Sequence, residues 1–166
     1  EGNLTGTMNL AECCICCAAS LIFMSTNRVY SYETLNSLQV TENDKRWEFD
    51  FCGTNNVKGV SEDGIDESFS VSGLKTFYGA SKLCAEMLLR ELSSSVGLRT
   101  IVNRCGVISG PWQMGKVDQG VLALWVAKHM KNESLSYFGY DGTGRQSRDF
   151  LHINDLAVLI GREVHY

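Results

Sequence analysis

Leu21-Ile22-Phe23-Met24-Ser25-Thr26-Asn27-Arg28-Val29-Tyr30 is the stretch that decides the fold. Four apolar residues run without a break and then stop on two hydroxyls and an asparagine. A short continuous apolar run reads as a strand buried on both faces, and parallel sheets are where such strands occur. Ser25 and Thr26 then fall at the carboxyl end of that strand, the end at which open α/β sheets bind ligands.

Working outward, Leu4, Met8, Ala11, Ile15 and Ala18 recur at helical spacing before the strand, and Asn3 is placed to cap that helix. After it, residues 30–76 are polar and weakly periodic, which predicts a long irregular excursion. Tyr78 to Leu92 returns to helix, with Leu88, Leu89 and Leu92 on one side and Gly97 placed to stop it. Arg99 to Arg104 predicts a second strand. Asp118 to Lys131 predicts an amphipathic helix built on Val121, Leu122, Trp125 and Met130. Leu135 to Phe138 runs into an Asp141-Gly142 turn, and Leu151-His152-Ile153 leads into a last helix capped by Asn154. Helix and strand alternating with crossovers of this length mean an α/β domain with a parallel sheet.

Composition narrows the partners. The 166 residues are 44% hydrophobic and 20% charged, enough for a buried core. A net charge of −4 argues against a nucleic-acid binder, whose affinity is built on clustered Lys and Arg. No apolar run approaches the ~20 residues of a membrane span, and no secretory signal is legible. The seven cysteines are an odd count. Cys13, Cys14, Cys16 and Cys17 form two overlapping C-x-x-C pairs, but they lie in a helical stretch with no nearby His and no second pair at finger-like distance. They read as small apolar packing residues in a reducing, cytoplasmic compartment, with no metal site.

Three places carry chemistry. In Tyr78-Gly79-Ala80-Ser81-Lys82, Tyr and Lys at i and i+4 share a helical face. A cation beside a phenol favours phenolate, and the pair then makes a general acid/base for a hydroxyl proton. Ser25-Thr26 can hydrogen-bond the same substrate oxygen. In Gly142-Thr143-Gly144-Arg145-Gln146-Ser147-Arg148, two arginines beside a glycine turn can clamp a diphosphate. Each has a plainer reading: a surface Tyr–Lys pair, a turn ending a strand, a solvated loop. His152, in an apolar strand, reads as structural.

In this order the motifs resemble the extended short-chain dehydrogenase/reductase superfamily, in its NAD-dependent sugar-nucleotide epimerase/dehydratase branch. Asn3-x-x-Gly6-Thr7 is similar to its N-x-x-G-T helix, Ser25-Thr26 through Val29-Tyr30 to its S-[ST]-x-x-V-Y strand end, and Tyr78 to Lys82 to its Y-G-x-S-K helix. Arg104 to Pro111 and Arg148 to Leu156 resemble two later segments. Thr26 to Tyr30 and Trp112 to Gly120 most resemble the CDP-paratose (CDP-tyvelose) 2-epimerase-like members. The resemblance implies Thr26, Tyr78 and Lys82 as the catalytic triad, with Ser25, Tyr78, Lys82 and Cys105 against NAD. It assigns Thr26 and Arg148 to a nucleotide-sugar substrate. Tyr30 is then not catalytic. Relatives commonly form a homodimer through the helix carrying Tyr78 and its neighbour, which the resemblance extends to the full-length protein.

Departures from the pattern shape the expectation. No G-x-x-G-x-x-G or G-x-G-x-x-G occurs, and with βαβ units of ~30 residues the missing N-terminal portion is on the order of a hundred. Val107, Phe77 and Ser31 stand where relatives often carry Asn, Pro and Gly. The expected architecture is a partial Rossmann-like, doubly wound parallel sheet lacking its N-terminal dinucleotide-binding half. Residues 1–110 would form the rest of the NAD domain and 111–166 the start of the substrate region. The chain then reads as part of an epimerase that oxidises its sugar transiently; the other reading is a truncated, non-catalytic nucleotide- or protein-binding module.

Overall fold

A computed structural model of the chain describes residues 2–44, 47–50, 57–116, 120–137, 140–144 and 146–165. Two compact units result, Glu1–Cys105 and Gly106–Tyr166.

The first unit opens with α1 (Thr5–Cys16), followed by β1 (Leu21–Thr26) and a 3-10 turn at Asn27–Val29. Next come α2 (Tyr32–Ser37), an antiparallel pair β2 (Val40–Glu42) and β3 (Trp47–Phe49), and a tight hairpin of β4 (Val60–Ser61) and β5 (Gly64–Ile65). The long helix α3 (Phe77–Val96) then crosses over to β6 (Thr100–Cys105), which pairs in parallel with β1. This β1–α3–β6 crossover is the repeating unit of a doubly wound α/β sheet, and the parallel pairing expected of Leu21-Ile22-Phe23-Met24 is present.

The ends of α3 follow from local chemistry. Thr76 Oγ1 accepts from the Gly79 N–H at 3.1 Å, capping the first turn, and Gly97 takes φ 74° at the far end, a left-handed conformation that costs glycine little. Leu21 and Phe23 of β1 pack against Ala11 and Cys14 of α1, Ala85 and Leu89 of α3, and Leu98. The other face of β1, Ile22 and Met24, is only half-buried, so the strand alternates where continuous burial was expected. The two helices that pack on it cover the Leu21/Phe23 side.

Several expectations are corrected. Asn3 does not cap α1: Leu4 is the cap residue, with no side-chain hydrogen bond, and Asn3 Nδ2 donates to Ser81 Oγ at 3.2 Å. Residues 30–76 are not simply irregular. Val29, Tyr30, Leu38 and Phe69 bury a second apolar cluster, with Leu35, Phe49, Val60 and Ile65 packed on it. Of the four clustered cysteines only Cys14 is buried, because one side of a helix can face the sheet; Cys13, Cys16 and Cys17 are exposed free thiols. Cys52 lies outside the described residues.

The second unit pairs β7 (Val107–Ser109) in parallel with β8 (Phe150–His152) and adds α4 (Val121–Met130) and α5 (Ile153–Val164). The expected start of α4 at Asp118, and Phe138 before the turn, lie outside the described residues. Trp125 meets the Tyr137 ring edge-on at 5.5 Å, but the apolar positions Val121, Leu122 and Met130 are exposed. The Asp141-Gly142 turn is present, both residues at positive φ. α5 is capped by His152, whose Nδ1 accepts from the Asn154 N–H at 3.2 Å, and not by Asn154. His152 thus has a structural task, capping α5 through its Nδ1.

Candidate active site

Parallel pairing aligns Ser25 with Arg104 and Thr26 with Cys105, so four residues of interest share the last two rungs at the strands' carboxyl ends. Thr26 is buried, and its Oγ1 accepts from the Arg28 N–H at 3.3 Å, closing the 3-10 turn that ends the strand. Ser25 is buried too, and its hydroxyl donates to Glu86 Oε1.

Helix α3 brings its first turns to the same place. Gly79 makes this approach possible: a Cβ there would overlap the Arg28 carbonyl oxygen. Ser81 Oγ donates to the Tyr78 carbonyl at 2.8 Å and accepts from Asn3, so the starts of α1 and α3 are tied at the residue after Ala80.

Lys82 Nζ donates to the Met24 carbonyl at 2.7 Å and lies 4.7 Å from the Phe23 ring centre. Burial pushes its amine below the ordinary lysine value, against a smaller opposite pull from the Cys105 sulfur. Of three ammonium protons one is committed to Met24, leaving two donors for a ligand. Tyr78 is 44% exposed, and among the described residues its hydroxyl has no hydrogen-bond partner. The side chains of Thr26, Tyr78 and Lys82 thus sit on adjoining elements without hydrogen bonds to one another. A phenol with no partner among the described residues and an amine with two uncommitted protons leave both groups able to engage a ligand.

Glu86 is the residue the sequence did not disclose. It is 5% exposed, and Arg104 Nη2 reaches its Oε2 at 2.7 Å with Nε at 3.1 Å. Arg104 also donates to Tyr30 Oη at 3.2 Å and to the Glu67 carbonyl at 3.3 Å. Burial works against the guanidinium charge, but Glu86 and Tyr30 outweigh it and hold Arg104 protonated beyond its ordinary range. Tyr30, buried and donating to the Asp66 carbonyl, is structural in this network. The one legible signal for Glu86 was its spacing: Tyr78, Lys82 and Glu86 follow at intervals of four.

Arg148 belongs to the second unit, is exposed, and donates to Gln146 Oε1 at 2.7 Å. Arg145 lies outside the described residues. Among the described residues no group of His, Cys, Asp or Glu can hold a metal, and no helix is long and apolar enough to cross a membrane.

A parallel β–α–β unit with tyrosine, lysine and hydroxyl residues at the strands' carboxyl ends defines a Rossmann-type, dinucleotide-linked class of protein. The chain belongs to the NAD dependent epimerase/dehydratase family, whose model matches residues 1–162. It is 30% identical over 163 residues to the CDP-paratose 2-epimerase of Salmonella typhi, covering 96% of this chain and 45% of that protein. The UDP-glucose 4-epimerase of Thermotoga maritima, solved with UDP-glucose, is 25% identical at a TM-score of 0.60, over 93% of this chain and 41% of that one. The dTDP-glucose 4,6-dehydratase of Bacillus anthracis, solved with NAD, shares the fold at a TM-score of 0.67 and 22% identity, over 96% and 41%. The chain therefore spans less than half the length of these relatives. NAD is the cofactor of the family.

Proposed function

We propose that the chain carries the acid/base half of an NAD-dependent sugar-nucleotide epimerase. The observation that supports this most is Lys82: a partly desolvated amine, one helical turn from the free phenol of Tyr78 and fixed on the carbonyl of Met24, which stands two strand residues before Thr26. When bound, NAD supplies the reversible oxidation of a sugar carbinol carbon. Tyr78 takes the proton from the sugar hydroxyl and later returns it. Thr26 hydrogen-bonds the same oxygen and holds it in line with the phenol. Lys82 favours phenolate by its charge and holds the nicotinamide ribose with its two remaining donors. Ser25 and Cys105 flank that ribose and ring, and Arg148 is assigned a phosphate of the nucleotide sugar.

We assign residues 1–110 to the cofactor and residues 111–166 to the start of the substrate region. The homodimer is assigned to the outer faces of α1 and α3, where Leu10 and Met87 are exposed. The test is a panel of nucleotide diphosphate sugars incubated in deuterium oxide with NAD and the whole protein, followed by NMR. Epimerisation without solvent deuterium at the inverted carbon supports the reading. Inversion with deuterium incorporated there contradicts it, as does the absence of any turnover across the panel.

A further inference from the structure

Two neighbouring residues of the α3 stripe are pinned to two neighbouring residues of β1. Lys82 Nζ holds the Met24 carbonyl, and Glu86 accepts from the Ser25 hydroxyl. The second pin also takes in β6, since Arg104, the register partner of Ser25, grips the same carboxylate through Nη2 and Nε. Two such points fix both the height and the rotation of a helix on a sheet; one would leave it free to roll. With that phase set, the next residue of the stripe, Tyr78, stands at the carboxyl end of the strands. We propose that Glu86 is a positioning residue for the proton-transfer site: its carboxylate, held by Arg104 and Ser25, sets the phase of α3 that places Lys82 and Tyr78.

The energetics favour placement over stability as its contribution. A buried ion pair gives back in desolvation most of what it gains in attraction, whereas a two-pronged guanidinium–carboxylate contact fixes geometry tightly. Tyr30 and the Glu67 carbonyl hold Arg104 from behind, so the guanidinium is itself immobilised before it meets Glu86.

The inference rests on the reading of Tyr78 and Lys82 as the proton-transfer pair, and the test separates the two. In the whole protein, the Lys82 amine is titrated by lysine-selective carbon NMR in the wild type, Glu86→Gln and Ser25→Ala, each shown folded by its dispersed spectrum. If Glu86 positions α3, its loss frees Lys82 from the Met24 carbonyl into water, and the amine titrates higher, toward 10.5. Removing a negative charge without movement has the opposite sign, so a downward shift, or none, overturns the proposal whether or not the protein turns over sugar. Ser25→Ala, which keeps the ion pair, shifts the amine the same way by less. Turnover gives the second readout: kcat of Glu86→Gln falls at least tenfold with KM for the sugar within threefold, and an unchanged kcat overturns the proposal. The pair Glu86→Met/Arg104→Met guards against a purely structural role. It removes the buried charges together, and the proposal requires that it restore folding stability but not kcat; restoration of both refutes positioning.

Discussion

Replacing Gly79 with alanine sets two known effects against each other at the point where α3 meets the strand end. In a helix, alanine is intrinsically better than glycine by about 1 kcal/mol. At Gly79, however, the added Cβ overlaps the Arg28 carbonyl oxygen and comes within 2.9 Å of its carbon, where ordinary contact begins at 3.4 Å. Neither side yields easily. The obstacle is backbone, held by Thr26 Oγ1 on Arg28 N–H and by the Tyr30 N–H on the Asn27 carbonyl, and the helix turn is capped by Thr76. Overpacking of this kind costs roughly 1–3 kcal/mol, and against a rigid partner the upper part of that range applies. Net destabilisation is then about 1–2 kcal/mol, a fall in Tm of roughly 2–8 °C for a chain of this size. Because the turn that moves also carries Tyr78, turnover falls about a hundredfold, the cost of an ångström's misplacement. The control is Gly161→Ala in α5, where nothing lies within 4 Å and the same change stabilises by about 0.5–1 kcal/mol. Thermal and urea unfolding of both variants read the signs. A Gly79→Ala protein as stable as wild type would refute the close approach on which the site geometry depends.

Further outcomes follow from the same contacts. Asn3→Ala removes the hydrogen bond to Ser81 and costs about 1 kcal/mol in urea unfolding; a cost near zero means that α1 and α3 are not tied there. The folded Lys82 amine lies below its unfolded value of 10.5, so between those two values the unfolded chain binds more protons and the fold gains stability as pH rises. Lys82→Met loses that rise, and stability curves of the two proteins that stay parallel to pH 10.5 contradict the burial of the amine. In the native protein a thiol reagent labels Cys13, Cys16 and Cys17 quickly while Cys14 and Cys105 stay protected until unfolding, read by mass spectrometry. Equal labelling of Cys14 would place it off the core.

What the chain discloses as a sequence is its locally determined part. Leu21 to Met24 reads as a parallel strand because an unbroken apolar run has few other uses, and Gly97 ends α3 because it takes the left-handed turn cheaply. Tyr78 and Lys82 are visible because both are carried on one helix. Glu86 was hidden for the opposite reason. A lone glutamate on a helix looks solvated, and its partners Ser25 and Arg104 stand 61 and 18 residues away. Asn3 misleads in the same way, since an asparagine before a helix ordinarily caps it, while its actual partner is 78 residues on. The second apolar cluster escapes notice because Tyr30, Leu38 and Phe69 are scattered singly through polar sequence, with no period to betray a shared interior. His152 and Asn154 are both able caps, and only the backbone at the end of β8 decides between them.

The central claim is that Tyr78 moves the proton of the sugar hydroxyl while the hydrogen on the carbon travels as hydride. It is tested most directly by comparing Tyr78→Phe with the wild type in the whole protein, measuring epimerisation of a nucleotide sugar and, separately, NAD retained after gel filtration. The account predicts that NAD binding is kept and that turnover falls by about 10²–10⁴-fold, the worth of a positioned acid/base. Turnover within a few fold of wild type, with NAD bound, would contradict it.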